Sequence, residues 1–258
     1  MDNLKISIVQ SPLHWENIDK NLELFSQKLS GLNKPTDIIV LPEMFTTGFT
    51  MNAQVFAESM EGKGVAWMQQ KAKEKNCCIT GSLIIKENNN SYNRLVWAYP
   101  DGSLEFYDKR HLFRMANEQH YYSPGNKKII VEYKGWKICP LVCYDLRFPV
   151  WSRNVKNEYD LLIYIANWPE RRNHAWKSLL IARALENLSY VAGVNRIEND
   201  GNDVCYSGDS VVINYKGETL SAIKSNEESI ETISISHKEL IEFRNSFPAF
   251  MDADTFTI

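Results

Sequence analysis

Glu43, Lys109 and Cys143 are the residues of this 258-residue chain whose types could combine into nucleophilic chemistry. A thiol is a strong nucleophile once it has lost its proton, and it needs help to lose it. A carboxylate within hydrogen-bond reach can accept that proton. An ammonium beside them stabilises the thiolate and then the oxyanion of a tetrahedral intermediate. All three residues follow β-rich or apolar runs: Glu43 comes after 37–41, Lys109 after 103–107 and Cys143 after 136–142. Asn167 and Trp168 follow a fourth run, 161–166. In layered α/β folds, ligand sites gather at the carboxyl ends of strands, where loops open outward from a rigid base. If these strands are neighbours, carboxylate, ammonium and thiol meet in one pocket. The segment 145–156 reads as a helix. The Tyr144 N–H, a first-turn donor, would then point at the same oxyanion.

Each piece has a plainer reading. A lone buried cysteine is more often packing than catalysis, and Cys77, Cys78, Cys139 and Cys205 read that way. A glutamate after Leu-Pro is usually a loop residue, and Asp-Lys-Arg after a strand is usually a solvated turn. A papain-like mechanism would pair Cys143 with one of His14, His111, His120, His174 and His237. His111 and His174 stand in loops that could reach the same pocket. Gly-x-Ser-x-Gly, Gly-x-Gly-x-x-Gly and the Walker lysine loop do not occur, nor does a His-x-x-x-His metal pair.

The elements that must position these residues suit one large α/β domain. Apolar runs at 5–9, 37–41, 78–85, 136–142 and 161–166 read as strands buried on both faces. Helical periodicity covers 17–32, 64–75 and 173–188, the last with Trp176, Leu180, Ala184 and Leu188 on one stripe. The segments 92–99 and 103–107 flank a Pro-Asp-Gly turn, and 211–215 and 218–223 flank Lys216-Gly217, so both pairs read as hairpins. A further strand is expected at 229–235. No linker divides 1–258, and 245–258 reads as a C-terminal tail without clear periodicity.

Hydrophobic residues make up 44 % of the chain, enough for a sizeable core without disulfide staples. Twenty-nine basic against 32 acidic residues leave a net charge of −3, which argues against broad nucleic-acid or anionic-membrane binding. No apolar run approaches bilayer length, and no signal-peptide core opens the chain. Five cysteines at spacings that match no disulfide framework or zinc motif point to a reducing, cytoplasmic setting.

Three segments carry a family resemblance: Leu41-Pro42-Glu43-Met44-Phe45, Tyr107-Asp108-Lys109-Arg110-His111-Leu112-Phe113, and Leu141-Val142-Cys143-Tyr144-Asp145-Leu146-Arg147-Phe148-Pro149. In this order they resemble the nitrilase superfamily of carbon–nitrogen hydrolases. The resemblance implies a four-layer αββα sandwich, with Glu43 as general base, Lys109 as oxyanion stabiliser and Cys143 as nucleophile. It also implies a second glutamate, supplied here by Glu118, to orient Lys109 and the substrate or attacking water. The segments Arg110 to Ala116, Ala166-Asn167-Trp168-Pro169, Arg183 to Asn187 and Tyr206 to Ser210 look like the ω-amidase branch. That branch implies hydrolysis of the terminal amide of short 2-oxo dicarboxylic acid monoamides through a cysteine thioester, without metal or organic cofactor. Other carbon–nitrogen hydrolases, whether nitrilase, aliphatic amidase or N-carbamoyl hydrolase, use nearly the same residues and stay open as alternatives. So does a non-catalytic protein on the same fold.

A 2-oxo acid amide needs a cation for its carboxylate. Arg147 is the natural candidate, with Arg114, Arg171 and Arg172 behind it and Trp168 as a pocket wall. Arg183 and Glu186 read instead as a structural i, i+3 pair. The resemblance further implies a homodimer acting on a small-molecule amide.

Overall fold

The computed structural model describes residues 3–254. Its first half runs β1 (Leu4–Gln10), α1 (Ile18–Ser30), β2 (Ile38–Val40), the single turn α2 (Ala53–Phe56), α3 (Lys63–Lys75), β3 (Cys78–Glu87), β4 (Asn90–Ala98) and β5 (Leu104–Asp108). The second half runs β6 (Val131–Tyr133), β7 (Trp136–Val142), α4 (Pro149–Ser152), β8 (Leu161–Ala166), α5 (Asn173–Asn187) and β9 (Tyr190–Asn195). It ends with β10 (Ile197–Asn199), β11 (Cys205–Ser207), β12 (Val211–Ile213), β13 (Ser229–Ile235) and α6 (His237–Ser246).

Period-two alternation sorts the side chains of the apolar runs between two cores. Leu4, Ile6 and Ile8 of β1, Ile38 and Val40 of β2, and Leu95 and Trp97 of β4 face the second sheet. Val9, Ile39, Ile79, Ile85, Val96 and Ala98 face the opposite way, onto Phe25 and Leu29 of α1 and Val65, Met68 and Ala72 of α3. The first sheet has the order β13-β1-β2-β3-β4-β5 and the second β12-β9-β8-β7-β6, with β10 and β11 forming a separate ribbon. Trp176, Leu180 and Ala184 of α5 and Leu240 of α6 cover the second sheet. The result is the expected αββα sandwich. Among the described residues no helix is long and apolar enough to cross a membrane.

Pro140 lies inside β7, where a missing N–H would normally break the ladder. β6 pairs only with Trp136 to Ile138, so Pro140 stands beyond the end of that neighbour and needs a partner only in β8. β7 thereby stays extended up to Val142 and delivers Cys143 at its tip.

Several elements differ from the sequence expectations. The helix expected over 145–156 is instead a 3₁₀ turn over Cys143–Arg147, the short α4 and a second 3₁₀ turn over Val155–Asn157. Pro149 pushes Phe148 out of helical space, to φ −115 and ψ 87, and Lys156 adopts a left-handed φ of 54. The segment 218–223 is not a strand, and the run 211–215 shortens to β12. Asn214 Oδ1 takes the N–H groups of Lys216 and Glu218, and Ser221 Oγ takes that of Val212, so side chains displace the ladder and leave one bridge, Ile213 to Thr219. β9 follows α5 after a left-handed cap at Leu188, φ 45, with no glycine or proline to mark the boundary. The first two residues of the expected tail close α6, and Ala249–Asp252 form another 3₁₀ turn. Residues 255–258 of that tail lie outside the described ones.

Candidate active site

β2 and β5 do not pair with each other; β3 and β4 lie between them. Asn93 of β4 spans the gap. Its carbonyl accepts the Lys109 N–H at 3.0 Å, and its side-chain amide donates to Glu43 Oε1 at 2.8 Å. Asn93 carries no sequence signal that sets it apart from other strand asparagines, and reading the chain alone missed it. Asn167, at the tip of β8, plays the matching part from the other sheet. Its N–H donates to Glu43 Oε2 at 2.7 Å, and its side chain donates to the Glu43 carbonyl at 2.6 Å.

Lys109 sits between two carboxylates. Its Nζ lies 2.9 Å from Glu43 Oε1 and 3.0 Å from each oxygen of Glu118. All three side chains are fully buried. Glu118 starts a 3₁₀ turn after a left-handed Asn117, and the Phe113 N–H donates to its Oε2 at 2.5 Å. Glu118 is therefore a buried partner of Lys109 and not a surface-loop carboxylate.

Cys143 has φ 47, a left-handed value that costs an L-residue about 1–2 kcal/mol. Asp145 holds that turn in place. Its Oδ2 accepts the Val142 N–H at 3.1 Å and the Tyr107 hydroxyl at 2.8 Å, while its Oδ1 accepts the His111 N–H at 3.0 Å. From α5, Arg183 donates to the Leu146 carbonyl at 2.6 Å and pairs with Glu186 at 2.8 Å. The Cys143 sulfur lies 3.9 Å from the Asn167 carbonyl, on the same residue whose N–H holds Glu43.

Charge in this cluster follows from burial and pairing. Burial alone would lower the Lys109 value, yet Glu118 and Glu43 hold it above that of an ordinary lysine. Burial raises the Glu118 carboxyl, and Lys109 opposes that rise. Burial, then the Glu43 carboxylate, pushes the Cys143 thiol well above its usual value, with Lys109 pulling the other way. The resting nucleophile is thus a protonated thiol, kept so by burial and by the nearby Glu43 carboxylate. Alkylation of Cys143 by iodoacetamide should rise with pH through and beyond the ordinary thiol value of 9.0. A rate plateau reaching down to about pH 4–5, the mark of a thiolate–imidazolium pair, would remove Glu43 from the role of base.

Cys143 and Lys109 open onto a cavity of about 460 Å³. Tyr144, Arg147 and Trp168 line the same cavity, as do Arg171 and Arg172. Arg114 lines a neighbouring groove instead. Among the described residues no histidine lines the Cys143 cavity. His111 stacks on Phe148 with ring centroids 3.7 Å apart, its Nδ1 2.8 Å from Asp145, and His174 is exposed. Tyr144 is the second residue of the 3₁₀ turn over Cys143–Arg147, in the first turn, where backbone N–H groups lack partners within the helix.

Known proteins share this architecture. The chain is 48 % identical to Omega-amidase YafV of Escherichia coli strain K12 over 258 residues, all of both chains. It is 36 % identical to the 2-oxoglutaramate amidase of Bacillus subtilis over 242 residues, 92 % of this chain and 91 % of that one. The crystal structure of XC1258 from Xanthomonas campestris, a CN-hydrolase superfamily protein with an arsenic adduct in its active site, superposes with a TM-score of 0.98 at 44 % identity and covers 100 % of both chains. The family model for carbon-nitrogen hydrolases matches residues 5–245. With that match across nearly its whole length, the chain belongs to the carbon–nitrogen hydrolase family.

Proposed function

We propose that this chain is an ω-amidase, hydrolysing the terminal amide of 2-oxo dicarboxylic acid monoamides such as 2-oxoglutaramate to the 2-oxo acid and ammonia. The observation that carries the reading is one cavity with Lys109 and Cys143 at its base, Glu43 bonded to Lys109 behind them, and Arg147 on its wall. The relatives named above support the substrate class.

In the first half-reaction the Cys143 sulfur attacks the amide carbon while Glu43 takes the thiol proton. Lys109 and the Tyr144 N–H hold the oxyanion, and Glu118 keeps the ammonium aimed at it. Protonated Glu43 then gives its proton to the leaving nitrogen. Ammonia departs and a thioester remains. In the second half-reaction Glu43 takes a proton from water as the water oxygen attacks the thioester carbon, and it returns that proton to the departing sulfur, releasing the acid and restoring the Cys143 thiol and the Glu43 carboxylate.

Arg147 meets the carboxylate at the far end of the substrate. Its guanidinium lies 5.1 Å over the Trp168 ring, so the indole forms a wall as well as a platform. Arg147→Ala should raise KM for 2-oxoglutaramate about 3- to 5-fold, as fits an exposed charge pair, and more than for a neutral amide. Equal effects on both substrates would reject this role.

The same reading takes 1–258 as one hydrolase unit with a terminal tail, working as a homodimer in the cytoplasm. Its cysteines are all free, in keeping with a reducing compartment. Ammonia release from 2-oxoglutaramate, glutamine, a simple nitrile and an N-carbamoyl compound tests the substrate class. The expected order puts 2-oxoglutaramate first, and preference for the nitrile or the carbamoyl compound would overturn it.

A further inference from the structure

Trp168 ties Arg147 and the backbone of Arg172 to the reacting end of the cavity. Its indole N–H donates to the Arg172 carbonyl at 2.9 Å, and its backbone N–H donates to Asn195 Oδ1 at 2.8 Å. Its ring carries Arg147. The residue before it, Asn167, gives its N–H to Glu43 and its carbonyl to the Cys143 sulfur. The strand end that holds base and nucleophile therefore continues directly into the segment that carries the cations.

Arg172 is the inner of these cations. It is half-buried, whereas Arg147 and Arg171 are exposed. Its guanidinium lies 5.1 Å over the Phe113 ring, and the Phe113 N–H in turn holds Glu118. Burial, then Arg171, holds Arg172 below the usual arginine range, so the site bears a charge it has not neutralised.

Among the described residues no carboxylate forms an ion pair with Arg147, Arg171 or Arg172. Among the described residues the arginine ion pairs are those of Arg94, Arg183 and Arg244. The two carboxylates on the cavity wall are already occupied. Glu16 accepts the Thr50 hydroxyl at 2.5 Å and the Asn52 amide at 2.7 Å. Asp200 accepts the Tyr206 hydroxyl at 2.9 Å and the Asn202 and Val204 N–H groups at 2.8 and 3.1 Å. A half-buried guanidinium without an acceptor, beside a reactive thiol, is built to receive an anion from outside.

We propose that Arg172 is the principal anchor for the carboxylate of an amide substrate, with Arg147 as its outer partner and Trp168 setting the span between that carboxylate and Cys143. This rests on the hydrolase reading above and assigns its specificity to a named residue. Because one rigid loop fixes both ends, the site selects amides whose carboxylate lies a set distance from the carbonyl carbon. The planar guanidinium receives that carboxylate through two parallel hydrogen bonds.

Steady-state kinetics on the full-length enzyme test the anchor, with 2-oxoglutaramate and pentanamide as the charged and neutral amides. Arg172→Ala should raise KM for 2-oxoglutaramate about 10- to 100-fold, the size of a lost charge-assisted hydrogen-bond pair. That rise should exceed the change for pentanamide by about tenfold or more and should exceed the effect of Arg147→Ala. Arg172→Lys should recover part of the loss. Equal shifts for both amides, or a larger effect from Arg147→Ala, would overturn the assignment.

Protection of Cys143 from iodoacetamide by pentanoate reads the anchor without turnover. It is followed on the Cys143 peptide by mass spectrometry, because Cys205 is exposed and would react as well. If 2-oxoglutaramate is not hydrolysed while protection still depends on Arg172, the substrate reading falls and the anchor stands. If 2-oxoglutaramate turns over and neither KM nor protection responds to Arg172, the anchor falls.

Discussion

Cys143→Ala should lose turnover on the order of 10⁶-fold, the scale seen when a covalent nucleophile is removed from a hydrolase. No neighbouring group can replace the sulfur. Glu43 is held by three donors, from Asn93, Lys109 and Asn167, and Lys109 is held by two carboxylates. The fold should survive the change. Alanine keeps the Cβ, meets the same left-handed backbone that cysteine already tolerates, and leaves the Asp145 clamp untouched. Ammonia release and thermal denaturation measured together check both halves. Mass spectrometry of the wild-type enzyme with 2-oxoglutaramate should show an acylated Cys143 peptide, and the alanine variant should show none. Turnover by the variant within about a hundredfold of wild type would mean that sulfur is not the nucleophile.

Lys109→Met should damage both rate and stability. Removing one oxyanion donor typically costs about 10²–10³-fold in rate. Removing the cation also leaves Glu43 and Glu118 buried without their shared partner, which costs about 3–5 kcal/mol. This loss depends on pH. Burial already raises the Glu118 carboxyl above its ordinary value of 4.5, and Lys109 is the group that opposes the rise. Without the lysine the folded value climbs further. A carboxyl raised in the folded state contributes its stability below its unfolded value, and that contribution is lost as pH rises through the folded value. The deficit of the variant against wild type should therefore be smallest near pH 4.5 and grow toward pH 8. Urea denaturation of both proteins at pH 5 and pH 8 measures it. A deficit that stays constant or shrinks with rising pH would mean that the carboxylates do not depend on Lys109.

Long apolar runs were legible because each keeps one period over its whole length. β7 and β8 begin and end where their runs do, and α1, α3 and α5 agree within about two residues at each end. What failed were segments in which side chains decide locally. Asn214 and Ser221 take backbone donors that a hairpin would have used, and Pro149 interrupts a helix whose remaining residues suit one. β9 was missed because α5 ends at a leucine in the left-handed region rather than at a glycine.

Residue types and their order along the chain determined that a thiol, a carboxylate and an ammonium stand at the ends of buried strands, and with them the family. Only the tertiary structure decided how they meet, because the groups that fix them come from segments far apart in sequence. Glu43 is positioned by Asn93 and Asn167, from different sheets, and Lys109 is balanced by a second carboxylate across a turn. It also decided which arginines line the cavity. That depends on which guanidiniums find a carboxylate within the fold, and among the described residues Arg183 does while Arg147 and Arg172 do not.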